Sequence, residues 1–312
     1  MEINANKRTL CMAFFLMFSA LVSVGQEKIR VMTFNLWHGG DGIKWPKDTT
    51  VKYQLEAIRK SKADIVGFEE QTSNHSDNQS RAKLLADSLG WHYFIIDGSR
   101  AIIARYAMQA IDNKEQKAQA ALVNLDQDRQ LVFGVMHLMY TPYEPYDIAD
   151  GKLKTKEEAE ASARKSRLHQ VQSMTDDIAA YLQNGLPIVL VGDFNEPSCL
   201  DWTAKAIKQR NNSELGFMVD WPASRYLIER GFRDAYRTFY PNVKRKPGYT
   251  WTSVEGLWRD PEIHDRIDLV FVSKGIKVTN AQVIGEESAL SDMVIPKWPS
   301  DHRAVVVELL LK

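Results

Sequence analysis

The sequence of 312 residues predicts a mixed α/β fold built as one large domain. Short apolar runs of strand length occur in both halves of the chain, and segments with helical periodicity lie between them. Hydrophobic residues make up 44% of the chain and charged residues 26%, which is enough for a sizeable core in a soluble protein. Strands in both halves with interleaved helices suggest two sheets packed face to face beneath outer helices.

The first 25 residues have the pattern of a secretory signal peptide. A basic start at Lys7 precedes a largely apolar run, residues 10–24, and small residues precede Gln26. We expect cleavage at this point, a secreted or periplasmic protein, and a catalytic domain at 26–312. An uncleaved anchor is the alternative, but the apolar run is short and ends abruptly. No later stretch is apolar enough to cross a bilayer, so no transmembrane segment is expected after cleavage.

The balance of basic and acidic residues indicates whether nucleic acid is a favoured partner. The chain has 40 basic and 40 acidic residues, and removal of residues 1–25 leaves 38 and 39. Proteins that grip duplex DNA usually carry a basic stripe, so nucleic acid remains an open partner but is not favoured. Cys199 would be the only remaining cysteine, which excludes an internal disulfide and leaves this residue a packing role. We expect a monomer.

Polar side chains end three apolar runs in the first half of the chain. These runs end on Asn35, Glu69 and His137, where a buried strand meets a loop. Helices are predicted at about 51–60 and 79–89. A long loop, residues 139–155, follows His137 and holds three tyrosines; it either shapes a substrate site or packs locally.

The second half opens with the clearest helical periodicity, at 156–182, whose apolar face includes Ala163, Leu168 and Val171. The apolar run 186–191 then leads into the pentad GDFNE at 192–196, which places Asp193 and Asn195 at the end of a strand. From residue 248 onward the pattern favours strand and loop. There, Asp268 opens one apolar run, and Asp301 and His302 precede another.

Together these segments resemble the endonuclease/exonuclease/phosphatase superfamily, the DNase I-like phosphohydrolases. The matching elements, in the family's order, are the strands ending in Asn35, Glu69 and His137, then GDFN at 192–195, RID at 266–268 and SDH at 300–302. They span residues 30 to 302. The resemblance implies a four-layer α/β/β/α sandwich with two packed mixed sheets.

A divalent metal, Mg²⁺ or Mn²⁺, is part of what the resemblance implies. Its predicted ligands are Asn35, Glu69 and Asp301, because Mg²⁺ prefers one or two carboxylates together with oxygen donors and water. No cluster of cysteine and histidine with zinc spacing is present in the sequence.

The catalytic roles also follow from the resemblance. We expect Asp268 to orient His302, His137 to donate to a phosphate oxygen, Asp193 to orient the water, and Asn195 to donate to the phosphoryl oxygens. Whether His302 or Asp193 is the general base stays open.

Substrate contacts are predicted for His38, Arg167 and Trp251. Simple packing is the more common role of a tryptophan such as Trp251 or Trp298. His264 and Asp265 are expected to be structural, because the family's pattern does not require them.

The predicted function is a secreted, metal-dependent phosphohydrolase. A phosphodiesterase acting on a small, lipid or sugar phosphate fits the charge balance best. The first alternative is an extracellular nuclease with the same chemistry. The second is a binding module that kept the fold without catalysis, and the complete set of site residues argues against it.

Overall fold

The computed structural model describes residues 28–73, 80–111, 119–210 and 216–311. These residues form two β-sheets packed face to face, with helices on the outer face of each sheet. The predicted four-layer α/β/β/α sandwich is therefore confirmed. The predicted signal peptide, residues 1–25, lies outside the described residues.

Blocks of strands and blocks of helices follow one another along the chain. Within the described residues the strands are β1 (Lys28–Asn35), β2 (Ile65–Glu69), β3 (His92–Ile95), β4 (Ala101–Ala104), β5 (Met108–Ala110), β6 (Ala120–Asn124), β7 (Gln130–His137), β8 (Ile188–Asp193), β9 (Arg233–Asp234), β10 (Asp268–Val272), β11 (Lys277–Gly285), β12 (Met293–Val294) and β13 (Ala304–Leu310). The α-helices are α1 (Lys47–Ser61), α2 (Arg81–Leu89), α3 (Glu144–Ala149), α4 (Lys156–Ala163), α5 (His169–Asp177), α6 (Ala179–Gln183), α7 (Ala204–Arg210), α8 (Pro222–Glu229) and α9 (Ala235–Phe239).

The strand order brings the predicted site residues to neighbouring strands. The first sheet runs β12-β11-β13-β1-β2-β4-β3 and the second runs β5-β6-β7-β8-β10-β9. β1 is parallel to β2, β7 is parallel to β8, and β10 is antiparallel to β8. The carboxyl ends of the parallel strands β7 and β8 therefore lie beside the amino end of β10, at the same end of the second sheet.

Alternation along each strand separates the core between the sheets from the two outer layers. Ile29 and Val31 of β1 face Phe133 and Val135 of β7 in the layer between the sheets. The intervening residues of β1 pack instead against α1 and α2, and the outer face of the second sheet packs against α5 and α8. Asn35 continues the row of Ile29 and Val31, so it belongs to the inter-sheet face.

The helix predicted at 156–182 is not continuous. It consists of α4, a π-helical turn at Arg164–Leu168, α5 and α6. Arg167, rather than the predicted Leu168, takes the buried position between Ala163 and Val171. The π-helical turn coincides with this buried guanidinium, which donates to the carbonyls of Met139 and Pro142.

The predicted loop at 139–155 contains a short helix, α3, which begins beside Pro145. Its Glu144 is buried against the π-helical turn. In the described part of the chain, no helix combines the length and apolar character that crossing a bilayer requires.

Candidate active site

The two sheets meet through polar side chains at the ends of their central strands. Asn35 pairs with Glu69 in the register of β1 and β2, and Asp193 lies between His137 of β7 and Asp268 of β10. The Nδ2 atom of Asn35 donates to Oδ2 of Asp193 at 3.1 Å, which joins the first sheet to the second. The strand ends therefore bring side chains that are up to 233 positions apart to one place.

The GDFN segment has backbone geometry that favours its residue types. Gly192 has a φ of 146°, and a Cβ atom there would lie 1.9 Å from the carbonyl oxygen of Met136. Asn195 has a left-handed φ of 47°, which asparagine tolerates better than most residues. The resulting turn lets the Asn195 N–H donate to Asp193 Oδ1 at 2.8 Å and its side chain donate to the Leu138 carbonyl at 3.0 Å.

His302 and Asp268 form a buried pair. Nδ1 of His302 lies 2.9 Å from Oδ2 of Asp268, so its proton is donated to the carboxylate and Nε2 is left to face Asp193 Oδ2 at 3.8 Å. Burial alone would lower the pKa of His302, but the charges of Asp268 and Asp193 raise this pKa well above its ordinary value. The two carboxylates therefore favour the protonated form of this imidazole.

His137 approaches the same carboxylate from the other side. Its Nε2 lies 3.8 Å from Asp193 Oδ2 and 3.9 Å from Glu70 Oε1, and its Nδ1 lies 2.6 Å from the Ser99 hydroxyl. Burial lowers the pKa of His137, and the nearby carboxylate of Glu70 opposes that shift only partly. Two imidazoles thus flank Asp193, whose own pKa is raised by burial to about 7.

Glu70, rather than the predicted Glu69, presents its carboxylate to the site. Glu69 is fully buried and its Oε1 accepts a hydrogen bond from Thr33 at 3.0 Å. Burial, followed by the charges of Asp268 and Asp193, raises the pKa of Glu69 well above its ordinary value. Glu70 lines the cavity and Glu69 does not, so Glu70 is the carboxylate that faces the site, while the metal-binding role of Glu69 stays a prediction.

The hydrogen bonds of Asn35 differ from those expected of a metal ligand. Its Nδ2 donates to Glu70 Oε1 at 3.3 Å as well as to Asp193, and its Oδ1 accepts from the Trp37 N–H at 2.9 Å. In this arrangement the amide oxygen is turned toward the backbone. Asn35 thus links the carboxylates of Glu70 and Asp193, and its predicted role as a metal ligand stays a prediction.

The carboxylates of the site fit a hard divalent cation. Burial raises the pKa of Asp301 to about 7, and the charges of Glu70 and Asp193 add to the shift. Several carboxylates that repel one another inside one cavity are a donor set that a cation would stabilise. Asp193, Asp268 and His302 also lie within 4.8 Å of one another, but the hydrogen bond of His302 Nδ1 to Asp268 accounts for that contact.

A cavity of about 990 Å³ opens above these residues. Its floor consists of polar side chains from the strand ends, and its far wall is formed by the segment after β7 and the loop after Trp251. The predicted site residues that line it are His38, His137, Asp193, Asn195, Trp251, Asp301 and His302. Asn35, Glu69 and Asp268 lie outside this lining, where they contact the lining residues from behind.

Arg167 does not reach the cavity, which corrects its predicted contact with substrate. Its side chain is fully buried, and its guanidinium donates to Glu144 at 2.7 Å and to the carbonyls of Met139 and Pro142. It therefore fixes the segment that forms the cavity wall. Any effect of Arg167 on substrate would be exerted through that segment.

Sequence reasoning missed Glu70 and Ser99. Along a strand every second side chain points to the same face, so Glu69 lies on the inter-sheet face with Ile65 and was the residue expected to face the site. Glu70 has a left-handed φ of 52°, and this turn breaks the alternation and directs its side chain into the cavity. Nothing in the local sequence distinguishes Ser99 from any other loop serine.

Comparisons with known proteins agree with this geometry. The model of the endonuclease/exonuclease/phosphatase family matches residues 32–302. An uncharacterized protein of Caenorhabditis elegans, F14F9.5, is 30% identical over 304 residues, covering 90% of each chain.

Two solved structures share the fold. An endonuclease/exonuclease/phosphatase protein from Beutenbergia cavernae superposes with a TM-score of 0.55 at 18% identity, covering 91% of this chain and 72% of that one. An AP endonuclease from Archaeoglobus fulgidus gives 0.55 at 14% identity, covering 89% and 98%. The chain therefore belongs to the endonuclease/exonuclease/phosphatase family, whose members are in general hydrolases of phosphoester bonds.

Proposed function

We propose that the protein is a divalent-metal-dependent phosphodiesterase that acts on a small, lipid or sugar phosphodiester. The observation that carries this proposal is the pair of imidazoles, of His137 and His302, whose Nε2 atoms both lie 3.8 Å from Asp193 Oδ2 on the cavity floor. Phosphoester hydrolysis requires an oriented water together with donors for the phosphoryl oxygens, and this arrangement supplies both.

Each side chain has a role that its contacts favour. Asp193 would orient the attacking water and accept its proton, because the neighbouring His302 cation favours its ionised form. His302, charged and held by Asp268, would donate from Nε2 to the phosphoryl group. His137 would donate from Nε2 to a second oxygen, since Nδ1 faces Ser99.

Glu70 and Asp301 are the side chains that would hold Mg²⁺ or Mn²⁺. Both carboxylates line the cavity, and an all-oxygen donor set suits these ions. When bound, the cation would neutralise negative charge on the phosphoryl group.

The charges of the cavity favour a phosphodiester over a phosphomonoester. Among the described residues that line it, Lys152 and Arg259 are the only lysine and arginine. Lys152 lies 3.0 Å from Asp147 and 3.1 Å from Asp150, and Arg259 also pairs with Asp150. A singly charged diester needs fewer cationic partners than a doubly charged monoester, so it matches this wall better.

An extracellular nuclease remains the second candidate, and the fold shared with an AP endonuclease favours it. The balanced charge of the chain counts against it, because phosphate neutralisation supplies most nonspecific affinity for nucleic acid. Purified protein assayed with Mg²⁺ on bis(p-nitrophenyl) phosphate, p-nitrophenyl phosphate, sphingomyelin and DNA separates these possibilities. If DNA were turned over much faster than the small diesters, the nuclease would be favoured. If none of these substrates were turned over, the proposed hydrolase activity would be refuted.

We also propose export with removal of the first ~25 residues, on the pattern of a basic start, a short apolar run and small residues before Gln26. N-terminal sequencing of the mature protein should begin near Gln26. Intact Met1 on protein recovered from the cytoplasm would contradict this proposal.

A further inference from the structure

Much of the cavity lies beyond the space that a phosphate group needs. This outer part, which we call the aromatic lobe, is walled by Tyr143, Tyr146, Trp251 and Trp258. The ring centroids of Tyr143 and Tyr146 are 4.8 Å apart, and Trp251 lies 6.5 Å from Tyr143 and 6.0 Å from Trp258. The four rings therefore form one connected surface.

Hydrogen bonds hold the inner rings of the lobe in place. Trp251 Nε1 donates to the Tyr146 hydroxyl at 2.8 Å, and that hydroxyl donates to Glu262 at 2.5 Å. The polar atoms of these rings are thus engaged within the protein, and the rings offer their faces and edges to a ligand. A wall that is already ordered loses little conformational entropy when a ligand binds.

Trp258 leaves aromatic surface uncovered at the outer end of the lobe. It is 52% exposed, whereas Trp202 and Trp221 are fully buried. Large aromatic side chains usually bury most of their surface, so a half-exposed indole beside a site is available for contact with a ligand.

The charges around the lobe indicate that its ligand is uncharged. Lys152 and Arg259 are both paired with aspartates, so among the described residues of this wall both of these cations already have an acidic partner, and Asp147 and Asp150 each have a basic one. The Trp251 ring also lies 4.8 Å from the ring of His302. The lobe therefore begins directly beside the imidazole that would contact the phosphoryl group.

We propose that the aromatic lobe binds a flat, uncharged ring carried by one ester group of the substrate. A flat ring gains aromatic stacking in addition to burial of apolar area, whereas an alkyl group gains burial alone. This inference rests on the proposed phosphodiesterase function and narrows its substrate class. A nucleobase and a simple aryl group share this chemistry.

The test is calorimetric binding of phosphonates, whose P–C bond cannot be hydrolysed, to the purified protein in Mg²⁺. Phenylphosphonate should bind about tenfold more tightly than methylphosphonate and clearly more tightly than cyclohexylphosphonate, which matches its size without being flat. The phosphonate analogue of adenosine monophosphate identifies the source of the ring. Tighter binding than phenylphosphonate assigns a nucleobase, and weaker binding assigns a directly attached aryl group.

Trp258→Ala should bring the affinity for phenylphosphonate close to that for methylphosphonate. Tyr93→Ala, which removes an exposed aromatic residue from β3, is the matched control and should leave the preference unchanged. Equal affinity for the phenyl and cyclohexyl compounds, or a preference that survives Trp258→Ala, would overturn the proposal. Because binding is measured without turnover, a ring preference in a protein that hydrolyses no diester would refute only the proposed activity.

Discussion

His302 and Asp268 join two distant segments of the chain through a 2.9 Å contact between Nδ1 and Oδ2. Asp268 Oδ2 accepts the proton of Nδ1, which fixes the tautomer and aims Nε2 toward Asp193. Trp251 packs on the same imidazole with its ring centroid 4.8 Å away. The position of the imidazole is therefore set by a charge on one side and by a ring on another.

His302→Ala should lower kcat by ~10²–10⁴, the range typical of general acid–base catalysis. Asp268→Asn should cause a smaller loss in the same direction, because the imidazole remains but its orientation and basicity weaken. The double variant should be little worse than His302→Ala alone. Steady-state kinetics on bis(p-nitrophenyl) phosphate, at a temperature where melting curves show every variant folded, provides the measurement; losses that multiply would show that the two residues act independently.

Glu70→Gln should abolish most metal-dependent hydrolysis and weaken Mn²⁺ binding, because it removes a carboxylate that lines the cavity. Glu69→Gln is the matched control on the adjacent residue, and it should retain most activity because Glu69 lies outside the cavity lining and its Oε1 is bonded to Thr33. EDTA should abolish the activity of the wild type, and Mg²⁺ or Mn²⁺ should restore it. If Glu69→Gln lost more activity than Glu70→Gln, Glu69 would be the metal ligand instead. Full activity after exhaustive chelation would contradict metal dependence.

Ser99→Ala should lower kcat about tenfold with little change in KM, since loss of a residue that orients an active-site ligand typically costs 10- to 100-fold. The reason is that the Ser99 hydroxyl lies 2.6 Å from His137 Nδ1 and holds the ring so that Nε2 faces the cavity. Ser99→Thr keeps the hydroxyl and should recover much of the rate. A rise in KM at constant kcat would instead mean that Ser99 contacts the substrate directly.

The fold could be predicted from sequence because its determinants are local. Apolar runs such as 186–191 and the periodicity around Ala163 and Val171 fix strands and helices one at a time, and the family's motif order supplied their arrangement. Asp193 and Asp268 were predictable for the same reason, since each lies where an apolar run meets a polar segment. The structure places both at the strand ends of the second sheet.

The errors of prediction occurred where tertiary contacts override a local rule. Glu69 was predicted because it ends an apolar run, whereas a left-handed residue after a strand, such as Glu70, cannot be recognised from periodicity. Arg167 was expected to contact substrate, because arginine is rarely buried without a partner. Its partner Glu144 lies 23 residues earlier, in a segment whose short helix the sequence did not reveal.

Arg167→Met should destabilise the protein by about 3–5 kcal/mol, because Glu144 would be left as a buried charge without its partner. Glu144→Gln combined with Arg167→Met should recover part of that loss, since neither charge then remains buried. Urea unfolding monitored by circular dichroism measures both. A double variant that is less stable than Arg167→Met alone would show that the carbonyl contacts of Arg167, rather than the ion pair, hold the cavity wall.

Glu196, the last residue of the pentad, should make stability depend on pH. Its Oε1 accepts from the Ala223 N–H at 2.8 Å, while Oε2 is buried without a hydrogen-bond partner. Burial raises the pKa of Glu196 from 4.5 to about 8, although the charge of Arg167 opposes the shift. The folded protein therefore keeps the proton over a range of pH in which the unfolded chain has released it.

The sign follows from proton linkage. Because the pKa of Glu196 is higher in the folded protein than in the unfolded chain, its protonation favours the folded state. This stabilisation is fully present below the pKa of the unfolded chain, and it is lost as the pH rises toward about 8. Glu196→Gln keeps the oxygen that accepts from Ala223 but cannot ionise. We expect the wild type to lose stability relative to this variant between pH 5.5 and 8.5, by a few kcal/mol at most, because each unit of pKa is worth about 1.4 kcal/mol.

Urea unfolding of both proteins at several pH values gives the difference directly, and groups that titrate in both proteins, such as Asp193, largely cancel from it. Glu157→Gln, which removes an exposed carboxylate at the start of α4, is the control and should give a curve parallel to that of the wild type. If the Glu196→Gln curve is also parallel, Glu196 is ionised in the folded protein at neutral pH, and Arg167 then balances two buried carboxylates instead of one.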